Sequence, residues 1–91
     1  MTRRASIHRL LEEAAMEIWG HIKDTEAAHP ERWVPAAYIK DELGLKLPSY
    51  PRENKINSET GWLFGTLARI LEDRELVEFR KANNRSFYRT K

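Results

Sequence analysis

The sequence predicts a mainly α-helical domain with a small antiparallel β-hairpin at its C-terminal side. Three observations point there. Apolar residues recur at helical spacing over residues 6–24 and again over 63–71. Two short segments containing Val77, Phe79, Phe87 and Tyr88 flank Asn83-Asn84, a pair that tolerates the positive φ of a tight turn. The length of 91 residues fits one domain over 1–91, and the absence of cysteine removes disulfides, thiolate metal sites and cysteine nucleophiles together.

The first helix is expected over 6–24, with Ser6 as its N-cap and Ile7, Leu10, Leu11, Ala14, Ile18 and Ile22 as its apolar stripe. Glu12, Glu13, Glu17 and Lys23 lie off that stripe. His29-Pro30 ends the helical region, because a residue before proline is pushed toward extended backbone. Trp33-Val34 reads as a short extended piece. Pro35 then suits the first turn of a second helix over Ala36 to Leu43, with Ile39 and Leu43 inward and Gly44 as the left-handed residue that stops it. Residues 45–57 read as a loop broken by Pro48 and Pro51, and carry Lys46, Arg52 and Lys55. Asn57 or Ser58 is expected to cap a third helix running to about Glu75. Its inner stripe is Leu63, Leu67, Ile70 and Leu71, with Phe64 beside them. A polar face of Glu59, Trp62, Thr66, Arg69 and Asp73 should look outward.

Across an Asn83-Asn84 turn, Phe79 falls opposite Tyr88 and Glu78 opposite Arg89, so an apolar pair and an opposite-charge pair share one register. Val77, Phe79 and Tyr88 should then face the core, and Arg80, Phe87 and Arg89 the other side. The expected core is Leu11, Ile18, Ile39, Leu43, Leu63, Leu67, Ile70, Val77 and Phe79.

Hydrophobic residues make up 41% and charged residues 33%, which excludes a disordered chain. No apolar run approaches the roughly 18 residues of a membrane span. The basic start runs into an amphipathic stretch, so no signal peptide is expected and the compartment expected is cytoplasmic, nucleoid-associated or nuclear. The net charge is only +2, yet the last twelve residues hold Arg80, Lys81, Arg85, Arg89 and Lys91 and no acid. Such a basic end fits a polyanionic partner or a solvated tail.

The order helix, short strand, helix, loop, helix, hairpin resembles that of winged helix-turn-helix proteins. The segments that carry the resemblance are residues 33–45, Trp-Val-Pro-Ala-Ala-Tyr-Ile-Lys-Asp-Glu-Leu-Gly-Leu, and 67–80, Leu-Ala-Arg-Ile-Leu-Glu-Asp-Arg-Glu-Leu-Val-Glu-Phe-Arg. Two departures stand out. Family members usually have glycine just before the leucine that opens the wing, where this chain has Glu75. The connection between the second and third helices is about thirteen residues, where helix-turn-helix units use three or four. The long loop and the aromatic, basic hairpin also resemble the regulatory-factor-X type of winged helix, in which the wing does most of the groove reading.

The resemblance implies binding of double-stranded DNA, with the N-terminal half of the third helix at the major groove. Thr60, Trp62, Thr66 and Arg69 are the candidates there, Arg69 suited to bidentate reading of guanine and Thr66 to a base or a phosphate. Against this, Arg69 could pair with Glu72 or Asp73, and Trp62 could close over the core. Arg80, Lys81, Arg85 and Arg89 on the wing would follow phosphates or enter the minor groove, or would merely guard a hairpin edge from aggregation. Lys55 completes the candidate set. The expected role is a transcription regulator or a DNA-targeting module. The rival from another class is a winged helix used for protein contact in a larger complex, favoured by Glu59, Glu72 and Asp73, which repel phosphate. A monomer or weak homodimer is expected, any dimer using Met16 and Trp19 on the first helix. His8, His21 and His29 show no ligand spacing, and no Ser–His–Asp set or glycine-rich phosphate loop occurs. No enzyme activity, metal or cofactor is therefore expected.

Overall fold

The computed structural model describes residues 2–45 and 62–91. Those residues are mainly helical, with three α-helices and a three-stranded antiparallel sheet among them, a layout compatible with a winged helix. The expected loop over 45–57 lies outside the described residues except for Leu45. The caps Asn57 and Ser58, the candidates Lys55 and Thr60, and Glu59 also lie outside them.

Helix α1 spans Arg3–Thr25. It starts earlier than expected, because Thr2 rather than Ser6 caps it: the Thr2 hydroxyl accepts the Ala5 amide at 3.1 Å. Arg3, Arg4 and Ala5 are good helix formers, so nothing stops the extra turn. The stripe buries Ala15, Ile18 and Ile22, with Leu11 and Ala14 packed at its edge. Ile7 and Leu10 belong to the same stripe, yet stay 57% and 56% exposed. At about 1.5 Å per residue a 23-residue helix runs about 34 Å, longer than the 12 described residues of α3.

Short 3₁₀ turns at Glu26–Ala28 and Pro30–Arg32 lead to strand β1, Val34–Pro35. Helix α2 follows at once over Ala36–Glu42, with Pro35 at its N-cap. Gly44 takes φ +66, while the Leu45 amide returns to the Lys40 carbonyl at 2.8 Å, which is a glycine-terminated helix end as expected. Leu43 was expected inside but is 36% exposed, because it caps the helix after the last turn that touches the core.

Helix α3 is described over Trp62–Asp73. Phe64, Leu67, Ala68 and Leu71 form its buried row, and Leu63 and Ile70 flank it half-buried. It ends in the same type of turn as α2: the Leu76 amide bonds the Leu71 carbonyl at 3.0 Å and the Glu75 amide the Glu72 carbonyl at 2.9 Å. Here, however, the left-handed position at φ +58 is held by Glu75.

Strands β2, Val77–Ala82, and β3, Arg85–Thr90, form the hairpin in the expected register, Phe79 opposite Tyr88 and Glu78 opposite Arg89. Asn83 and Asn84 both take positive φ, +52 and +62. The sheet order is β1-β3-β2, so β3 is central and pairs Val34 with Tyr88. Tyr88 is accordingly buried, edge-on to Phe64 at 5.6 Å, and burial pushes its hydroxyl up to about 12 with Glu72 adding to the shift. Phe79 was expected in the core but is 44% exposed. It lies on an edge strand, leans on Tyr88 at 5.2 Å and has no second strand beyond it.

Candidate nucleic-acid interface

Alternation along the hairpin sorts its side chains. Val77, Tyr88 and Thr90 point into the protein and are buried, so Glu78, Arg80, Ala82, Arg85, Phe87 and Arg89 take the outer face. Arg80, Lys81 and Arg85 are exposed near the turn, and none of them makes an ion pair among the described residues. Lys81 is on the opposite face from Arg80 and Arg85, so the hairpin end is basic on both sides.

Arg89 differs from these three. It is half-buried and donates from Nε to the Glu78 carboxylate and from Nη1 to the Glu31 carbonyl at 3.0 Å. Its guanidinium also lies 4.2 Å from the centre of the Trp33 ring. The hydrogen bond from Arg89 holds the Glu78 carboxyl below the ordinary carboxylate range. Sequence reasoning grouped Arg89 with the DNA-facing cations. The structure places it in a lock between β3, β2 and the turn before β1.

A second lock sits beside it. Glu26 is buried, and its carboxylate accepts the Thr90 amide at 2.9 Å, the Thr90 hydroxyl at 2.6 Å and an ion pair from Arg32 at 3.3 Å. Burial raises this carboxyl, but the Thr90 bonds and Arg32 outweigh it, and the net effect is a lowered pKa. Arg32 donates as well to the Thr90 carbonyl at 3.2 Å. Neither Glu26 nor Trp33 is among the candidate residues read from sequence, where Glu26 falls just past the expected first helix and Trp33 belongs to a short extended piece.

On α3, Trp62 is 41% exposed, and Thr66 and Arg69 are exposed with it around an open depression that also includes Gly65 and Ile70. The Thr66 hydroxyl donates to the Trp62 carbonyl at 3.1 Å, so in this rotamer it has only acceptor capacity to offer. Arg69 forms no ion pair with Glu72 or Asp73. Its guanidinium is thus presented to solvent, with Asp73 exposed and Glu72 half-buried on the same helix.

Two of the three histidines pack on Tyr38: His29 lies edge-on to it at 4.9 Å, and His21 is tilted against it at 5.9 Å. Among the described residues no group of three or more His, Asp or Glu side chains is placed to hold a metal ion. No described helix is long and apolar enough to cross a membrane. No model of a known protein family matches the chain, no curated protein matches its sequence and no solved structure matches its fold.

Proposed function

We propose that this chain is a winged-helix domain that binds double-stranded DNA, as a transcription regulator or DNA-targeting module working in the cytoplasm, the nucleoid or a nucleus. The observation that carries the reading is the hairpin end. Arg80, Lys81 and Arg85 stand exposed there with no described carboxylate to neutralise them, on strands held in register by the Asn83-Asn84 turn and the Arg89–Glu78 pair. Three unpaired cations on a rigid hairpin suit a phosphate backbone, which positions a protein without carrying sequence. Arg69 on α3 supplies the group suited to a base edge, and Arg89 contributes by holding the wing in shape.

The test is duplex affinity against salt. Neutralising one of Arg80, Lys81 or Arg85 should lower the slope of log affinity against log salt by about 0.9, on all sequences alike. Reversing all three with no effect, or no duplex bound at low salt, overturns the proposal. A protein-contact role has an observation of its own, the exposed Ile7 and Leu10 at the start of the apolar stripe of α1. That role predicts self-association or partner binding that Leu10→Ser weakens while duplex affinity stays unchanged.

A further inference from the structure

The outer face of the sheet holds a cavity of about 290 Å³ that shares Arg80, but no other lining residue, with the cations of the hairpin end. Its walls are Trp33, Pro35 and Phe87, with Pro30 from the turn before β1. Ala82 and Arg80 close it on the β2 side. Glu31 is the one acidic residue among those lining it.

Three features mark this cavity as built to receive something flat. First, Trp33 is fixed: Arg89 covers its ring at 4.2 Å and is itself held by Glu78 and the Glu31 carbonyl. Second, the turn that forms the wall takes left-handed backbone at two successive non-glycine residues, Glu31 at φ +53 and Arg32 at φ +66. That conformation is unfavourable for both, and it is maintained by the bonds of Arg32 to Thr90 and Glu26. Third, Arg80 lies 5.9 Å from the same Trp33 ring and makes no ion pair among the described residues.

Aromatic and proline walls favour a planar ring, and the volume, close to the lower end for ligand sites, suits one small ring system rather than a large ligand. An unpaired guanidinium at the mouth favours a negative group attached to that ring. Arg85 on the same face adds to the positive field, and Glu31 is the one carboxylate among the lining residues, Glu78 being engaged by Arg89. A nucleotide carries both parts. An aromatic side chain of a protein supplies the ring without the anion.

We propose that this cavity takes one unstacked nucleobase adjoining the bound duplex, stacked against Trp33 and Phe87, with Arg80 on its phosphate. The proposal rests on the duplex-binding reading above. It makes the wing a sensor of unpaired nucleotides at duplex ends or lesions.

The test uses the full chain and three fluorescent hairpin duplexes: blunt, with one unpaired nucleotide at the end, and with an abasic sugar-phosphate in its place. Both 5′ and 3′ overhangs are tried. Stacking of one base corresponds to a preference for base over abasic overhang of about 5-fold to 150-fold. A 2-aminopurine in the overhang should be quenched on binding. Phe87→Ala should abolish both the preference and the quenching while leaving blunt-duplex affinity unchanged. Ala82→Leu, which fills the cavity mouth from a half-exposed edge position, should do the same without opening the fold. Equal affinity for base and abasic overhangs, with the blunt duplex still bound, overturns the cavity proposal alone and leaves the site to a protein side chain. A preference that survives both variants overturns it too, since the base then stacks elsewhere. No binding to any duplex at low salt overturns both readings together.

Discussion

Replacing Glu75 with glycine should stabilise this protein. Glu75 ends α3 at φ +58, in the left-handed region that costs an ordinary residue about 1–2 kcal/mol and glycine nothing. Glycine returns part of that gain, about 0.5–1 kcal/mol, through the greater freedom of its unfolded chain. The net expectation is about 0.5–1 kcal/mol of added stability, or about 2–8 °C in Tm for a domain of this size. Little else is at stake at the position. The Glu75 side chain is exposed and forms no ion pair among the described residues, and both backbone bonds of the turn come from amides that glycine keeps. Glu75→Ala is the control, because it removes the same carboxylate and leaves a Cβ in the same strained geometry. Thermal melts followed by far-UV circular dichroism on the three proteins separate the terms. If glycine melts with or below alanine, the backbone at this turn is not strained and the reasoning fails. The position is also where the winged-helix resemblance departs from its usual glycine.

Further predictions follow from the two locks and the core. Leu67→Ala should cost about 2–5 kcal/mol as a core truncation, read by denaturant unfolding. Glu26→Gln should cost about 1–3 kcal/mol, because the buried Thr90 groups and Arg32 lose a charged acceptor. The Glu26 carboxyl is depressed below its ordinary value of 4.5, so its contribution is present above that pH and is lost as pH falls through the folded value; the variant's stability should lack that acid-side decline. Arg89→Gln should lower Tm and leave the salt slope of duplex binding near wild type, whereas Arg80→Gln should do the reverse. Arg69→Ala should cost about 1–3 kcal/mol on a selected target duplex and little on random DNA, compared by titration of both.

Local features were legible in the sequence. The Asn83-Asn84 turn set the hairpin register, since two residues tolerant of positive φ leave one way to align Phe79 with Tyr88. Gly44 marked the end of α2 for the same reason. Long-range features were not. Whether Phe79 is buried depends on which strand is at the edge, and nothing in residues 77–90 reveals that β1 joins the β3 side. Glu26 reads as a surface residue until Thr90 meets it, and Arg89 as a DNA contact until Glu31 and Trp33 do. Arg80 and Phe87 share the outer face as the alternation pattern expects.

The central position of β3 has a consequence for how the protein comes into being. A ribosome releases α1, the turns, β1 and α2 well before the strand that joins them. Thr90 meets Glu26 from 64 positions away and Arg89 meets Glu31 from 58, so neither lock can form while β3 is still inside the exit tunnel. Until then β1 is a strand with no neighbour, Glu26 is an ordinary solvated acid, and the left-handed turn at Glu31-Arg32 has nothing to hold it. The nascent chain therefore waits, helical but without its sheet, for a single late segment. A chain cut before Arg85 would lack the strand that carries Tyr88 and pairs Val34, leaving Val34 and Phe64 open to chaperones, and restoring β3 would close the core.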